Sequence, residues 1–277
     1  MFSSAARSVY DRPRGSLSAG GVQLTEIRDL ERNLLNNQNG AFIWNANYRG
    51  SPTNPFYAAY SLLNQSGDSL DRFEIRNGDV SSSDLANNHI FERSQYGTLD
   101  SWNAGVDFWT SFQMYVVPGG VPSQGGNVIW GLPPHPDPLD QLYSSQVIGS
   151  FYNNQFLIDL WYSTENPLVD PSTQVRIYQG AIPTGRWASV VQHVKFGASG
   201  GGVLEVWLDG TKIVSYSGQI GLASAATFSF KWGQYRGTAP ASGNGQSIMW
   251  FFGVEYGTTD LSARITSPKT PPVFTPS

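Results

Sequence analysis

The sequence contains no cysteine, so disulfides, thiolate metal centres and a cysteine nucleophile are all excluded. Histidine is nearly as scarce: His89, His135 and His193 supply every imidazole in the 277-residue chain. Charged side chains make up only 14% and sum to a formal net charge of −4, without the basic stripe that a broad grip on nucleic acid requires. No apolar run approaches the length of a membrane span, so neither nucleic acid nor a membrane is an expected partner. The opening residues, MFSSAARSVYDRPRGSLSAGG, place Arg, Asp and Pro where an export signal needs its apolar run. The expected location is therefore the cytoplasm, or the outside by way of a virion or lysis. Also missing are GxSxG, HExxH, a glycine-rich phosphate loop after a strand, and an EF-hand loop. Asp and Glu are scattered, and no two stand out as the carboxylate pair of a glycosidase. The stretch NGDVSSSD could offer oxygens to calcium, but its spacing defines no site, and no cofactor is expected.

Aromatic side chains are abundant by contrast. Nine Trp, 13 Tyr and 15 Phe within a 40% hydrophobic composition can fill a large core. From residue 41 onward the chain runs in short alternating segments broken by Gly, Pro, Asn and Ser, which predicts an all-β sandwich. The clearest strands include DRFEIR, DFWTSFQMYVV, NVIWGL, QFLIDLWYS, QVRIYQG, WASVVQHVKFG, TFSFKWGQYR and SIMWFFGVEYG. Asp209 and Gly210 predict a hairpin turn between VLEVWL and KIVSYSG, because glycine accepts positive φ. GASGGG, at 197–202, reads as another turn. Ahead of the sandwich, Leu24, Ile27, Leu30 and Leu34 recur at helical spacing, with Thr25 as the N-cap candidate, predicting a short helix in an N-terminal arm. The division that results is an arm over 1–40, a β domain over 41–262 and a Pro-rich tail over 263–277.

Candidate site residues fall into a few clusters. In FSFKWGQYRGT, residues 228–238, Lys231, Gly233 and Tyr235 lie at alternate positions and so share one strand face, with roughly 13 Å between the cation and the phenol. In DRFEIRNGD, Arg72, Glu74 and Arg76 share a face; they form either a solvated row of ion pairs or a cationic shelf for an acidic ligand, held by Glu74. Arg93 and Gln95 occur in FERSQYG, where an arginine fork suits bidentate capture of a carboxylate. Among the histidines, His89 reads as a loop surface residue and His193 as either a groove residue or a satisfied sheet histidine. His135, in the stiff GLPPHPDP loop, is the best candidate for a general base.

RFEIRNGD, ERSQ, WNAGVDFWTSFQMYVVPG, GRWASVVQHVKFGASGGGVLEVWLDGTKIV and FSFKWGQYR, in that order, resemble the β-jelly-roll polysaccharide lyases of the heparin-lyase and glucuronan-lyase type and the related alginate lyases. The motifs of that group are R-[ST]-E-L-R, Q-[IV]-H and Y-F-K-x-G-x-Y. Here Gln95 stands where the first motif has Glu, and Gly97 where it ends in Arg. The resemblance implies a concanavalin-like jelly roll of two antiparallel sheets with a concave groove, binding an acidic polysaccharide and cleaving it by β-elimination beside a uronic acid. It further implies Tyr235 as acid or acid/base, with His135 or His193 as the basic or neutralising group. Lys231, Arg76, Arg93, Gln95 and Arg72 would bind substrate, and Gly233 would leave room for a sugar ring. The alternative is a non-catalytic glycan-binding or structural jelly roll, for example a virion component docked through the N-terminal arm.

Overall fold

The computed structural model describes residues 16–19, 22–27, 41–44, 60–63, 68–76, 91–98, 100–120, 126–134, 145–164, 172–237 and 245–273; through residue 63, and at Phe91 and Arg93, only the backbone is described. Alternation of apolar side chains builds two facing layers. In β8 (Phe108–Val116), Phe108, Phe112, Met114 and Val116 point inward. They meet Phe156, Ile158 and Leu160 of β11 (Gln155–Ser163), which supply the same period-two face from the opposite layer. Each buried Phe or Leu contributes about 1.5–3 kcal/mol relative to exposure. Edge-to-face contacts such as Phe108–Phe228, with ring centroids 5.1 Å apart, lock the packing.

The first sheet runs β1 (Ser16–Ala19), β2 (Val22–Ile27), β4 (Tyr60–Leu63), β5 (Ser69–Ile75), β18 (Ser247–Gly257), β8, β13 (Trp187–Lys195), β14 (Gly197–Leu208) and β15 (Thr211–Leu222). The second runs β12 (Thr173–Ala181), β11, β10 (Val147–Tyr152), β9 (Asn127–Gly131), β17 (Lys231–Gly237), β6 (Phe91–Thr98) and β3 (Ala41–Trp44). Neighbours within each sheet are antiparallel. A short parallel contact, Tyr162 with Gly221 and Ser163 with Leu222, stitches the two layers together along one edge. This is the predicted jelly roll. A small ribbon of β7 (Trp102–Asn103) and β16 (Thr227–Phe228) and one helical turn, α1 (Ala263–Thr266), complete the described elements.

Two local expectations are corrected. Residues 22–27 form a strand and not the start of a helix: β2 pairs with β1 and β4, so the arm joins the first sheet ahead of residue 41. The β-branched Val22, Thr25 and Ile27, behind the Gly20–Gly21 pair, favour a hairpin over the helical spacing of the leucines. The remainder of the expected helix lies outside the described residues. GASGGG is likewise part of β14, paired with β15 at Gly197–Ile220 and Gly202–Gly218 around a register shift. The predicted turn at Asp209 and Gly210 is present, with φ of 51° and 77°.

Candidate active site

Strand β17 separates two kinds of side chain. Trp232, Gln234 and Arg236 are buried and point into the sandwich, whereas Lys231 and Tyr235 are partly exposed on the outer face of the second sheet. Each inward residue is anchored. Trp232 donates from Nε1 to Asp71 on β5 at 3.0 Å. Gln234 donates to the carbonyls of Phe73 at 2.9 Å and Ser247 at 3.1 Å, while its own carbonyl accepts from Asn127 at 2.9 Å and from the Ser247 hydroxyl. Arg236 pairs with Glu92 and donates to the Gly245 carbonyl at 2.9 Å. The strand that carries the outward pair is thus bolted to β5, β18 and β6 by three consecutive inward groups. Polar residues in this register give no periodicity signal, and sequence reading passed over them.

Register brings the outward residues together. Tyr235 lies opposite Arg93, Gly233 opposite Gln95, and Lys231 opposite Gly97. Arg93, Gln95, Lys231 and Tyr235 therefore share one face of two adjacent strands, with paired Cα atoms about 4.5–5.5 Å apart. On the other side of β17, strand β9 presents Val128 opposite Tyr235 and Gly131 opposite Lys231. No histidine occupies that face of β9, and His135 lies outside the described residues.

The backbone itself requires glycine at 233. Its φ is +125°, and a Cβ built there would come within 2.6 Å of the Gln95 Cα and the Ser94 carbonyl oxygen. The register between β17 and β9 also shifts between Trp232 and Tyr235. A bulge and the close approach of β6 demand glycine here, independently of any sugar. Gly233→Ala is expected to destabilise the protein by about 1–3 kcal/mol from backbone strain alone, read as a lowered urea midpoint.

Three of the nominated residues belong elsewhere. Arg72 and Arg76 lie at β5, on the outer face of the first sheet, and both bind Glu74, at 2.7 and 2.6 Å. Arg72 and Glu74 are buried, with side-chain exposures of 7% and 1%, whereas Arg76 at the strand end remains 37% exposed. The Arg72 guanidinium also sits 5.7 Å from the Trp250 ring centroid, a cation–π contact that supports an internal role. His193, on β13, is on the outer face of that same sheet, with the core between it and Tyr235. Its ring stacks on Trp109 at 4.4 Å, with Nδ1 3.1 Å from Glu205 and Nε2 2.9 Å from Asp107. The hydrogen bond from Lys212, aided by His193 and opposed by burial, holds the Glu205 carboxyl below its ordinary value. Substituting His193→Gln is expected to cost about 1 kcal/mol of stability and to leave function at Tyr235 unchanged, which a thermal melt and an activity assay would show together. Among the described residues, no cluster of His, Asp and Glu could hold a metal ion.

No curated protein matches the chain. Among solved structures, an endo-β-1,4-glucuronan lyase from the fungus Trichoderma reesei aligns with a TM-score of 0.55 at 16% identity, covering 69% of this chain and 82% of that one. A family 7 alginate lyase, A1-II′, gives 0.49 at 14% identity over 74% and 85%. The first likeness supports the jelly-roll fold. The family model described as "Polysaccharide lyase" matches residues 47–254, a span that includes β17, β6 and β9, and the chain belongs to that family.

Proposed function

We propose that the protein cleaves a uronic-acid-containing polysaccharide by β-elimination at the outer face of β17 and β6. The observation that carries this reading is the register pair Tyr235–Arg93, flanked on the same face by Gln95 and Lys231. The proton beside a uronate carboxylate is barely acidic until the carboxylate's charge is neutralised, a task suited to Arg93 and Gln95. Tyr235, entering the step as the phenolate, then removes that proton and becomes a neutral phenol. The C–H electrons form a carbon–carbon double bond, the bond to the glycosidic oxygen breaks, and the Tyr235 hydroxyl returns the proton to the departing oxygen. Lys231 contacts the acidic chain beside this point. No step is routed through a histidine. The glucuronan lyase compared above is named for a uronic-acid polymer, which supports the substrate class.

Incubation with glucuronan, alginate, heparin-type glycans and bacterial capsules tests the reading. The expected result is rising ultraviolet absorbance from the new unsaturated uronate on at least one polymer. A flat trace across the panel would reject it. A second reading, a glycan-binding module without catalysis, draws on Val128 and Gly131 occupying the face of β9 beside Tyr235. Retention on a polyuronate without any absorbance change would select it.

A further inference from the structure

The outer face of the second sheet carries another cation, far from Tyr235. In the register, Lys231 pairs with Gly131, Gly131 with Ile148, Ile148 with Asp159, and Asp159 with Arg176. These residues form one row across the sheet, with Lys231 and Arg176 at its ends, four strand spacings or about 19 Å apart. Ser145, whose hydroxyl lies over Gly131, adds a polar group between them.

Arg176 is mounted rather than merely exposed. Its Nε and Nη2 donate to the two carboxylate oxygens of Asp159 at 2.9 and 3.3 Å. Asp159 is only 4% exposed, whereas Arg176 remains 44% exposed, and Nη1 donates no hydrogen bond among the described residues. A two-pronged contact fixes the guanidinium plane and leaves its outer edge facing solvent. Val175, Ile177 and Tyr178 already pack β12 onto the core, so the strand does not depend on the pair for its place. Burying a carboxylate to hold an arginine adds little net stability over apolar side chains, which makes orientation of the exposed fork the better account.

We propose that Arg176, held by Asp159, is a second carboxylate-binding point for an acidic polysaccharide, engaging a uronate several sugars away from the one at Tyr235. This rests on the substrate class proposed above and is independent of the elimination step. A polymer with a carboxylate on each sugar reaches both points. A short oligouronate seated at Tyr235 does not.

Affinity electrophoresis in gels containing alginate or polyglucuronate tests this, with Tyr235→Phe as the parent so that no polymer is cut. Adding Arg176→Gln is expected to weaken binding to polymer about tenfold, as loss of one charge-assisted hydrogen bond would, and to leave binding of a short oligouronate unchanged. Arg186→Gln removes the same charge from a residue paired with Asp209 at 2.7 Å, and is expected to change neither. Arg176→Lys keeps the charge but not the fork, and should fall between parent and glutamine variant with an unaltered melting temperature. Equal retardation of parent and Arg176→Gln, no retardation of either, or an equal loss in Arg186→Gln would overturn the second binding point. Unsaturated product from the unmutated protein is scored separately. Cleavage without an Arg176 effect removes only the second point, and an Arg176 effect without cleavage removes only the elimination chemistry.

Discussion

Tyr235→Phe is expected to lower turnover on the responsive polyuronate by about 10²–10⁴-fold, the usual share of a positioned acid–base group, with little change in KM. The substitution deletes one oxygen and keeps the ring, so packing around β17 is retained. The neighbours that fix the strand, Trp232, Gln234 and Arg236, make their hydrogen bonds on the opposite side and are untouched. Initial rates of unsaturated product, paired with a melting curve matching the parent, isolate the chemical effect. Activity within a few-fold of the parent would remove Tyr235 from the elimination.

The largest stability effect is expected at Glu92→Ala. Arg236 and Glu92 are paired inside the sandwich with side-chain exposures of 1% and 4%. Truncating the acid removes the carboxylate paired with a buried guanidinium, which costs about 3–5 kcal/mol. For a domain of this size that corresponds to a fall of about 10 °C in melting temperature. Replacing both partners together, as Glu92→Leu with Arg236→Met, should recover most of the loss, since an apolar pair of similar volume avoids the desolvation of two charges. A double variant as unstable as Glu92→Ala would show that the pair holds the sheet in place by more than mutual compensation.

Much of the fold was legible because strands announce themselves by period two. QFLIDLWYS matches β11 over 155–163, and the Asp209–Gly210 turn falls where glycine chemistry placed it. The face shared by Lys231 and Tyr235 followed from alternation alone. What alternation does not encode is which layer a strand joins. Arg72, Arg76 and His193 each occupy the face of a strand turned away from the core, as Tyr235 does, but on the opposite sheet. Sheet membership depends on pairings between residues far apart in sequence, such as Ser247 with Ile75, and no local pattern reports them. Gly233 stood out in the sequence, but the approach of the β6 backbone that also demands glycine there is visible only in the register. Over residues 22–27 the helical spacing that begins at Leu24 misled for a related reason: a hairpin partner at β1 overrides weak helical periodicity there.

The anchoring of β17 also bears on how the protein comes to be active. Trp232 to Asp71 and Gln234 to Phe73 each span 161 residues of sequence. Contacts of that separation require most of the intervening chain to be ordered before they return any stability, and topologies rich in them fold slowly. The face bearing Tyr235 and Arg93 thus rests on a strand that is fully anchored only when β5 packs over β17, so its geometry is tied to contacts between distant parts of the chain.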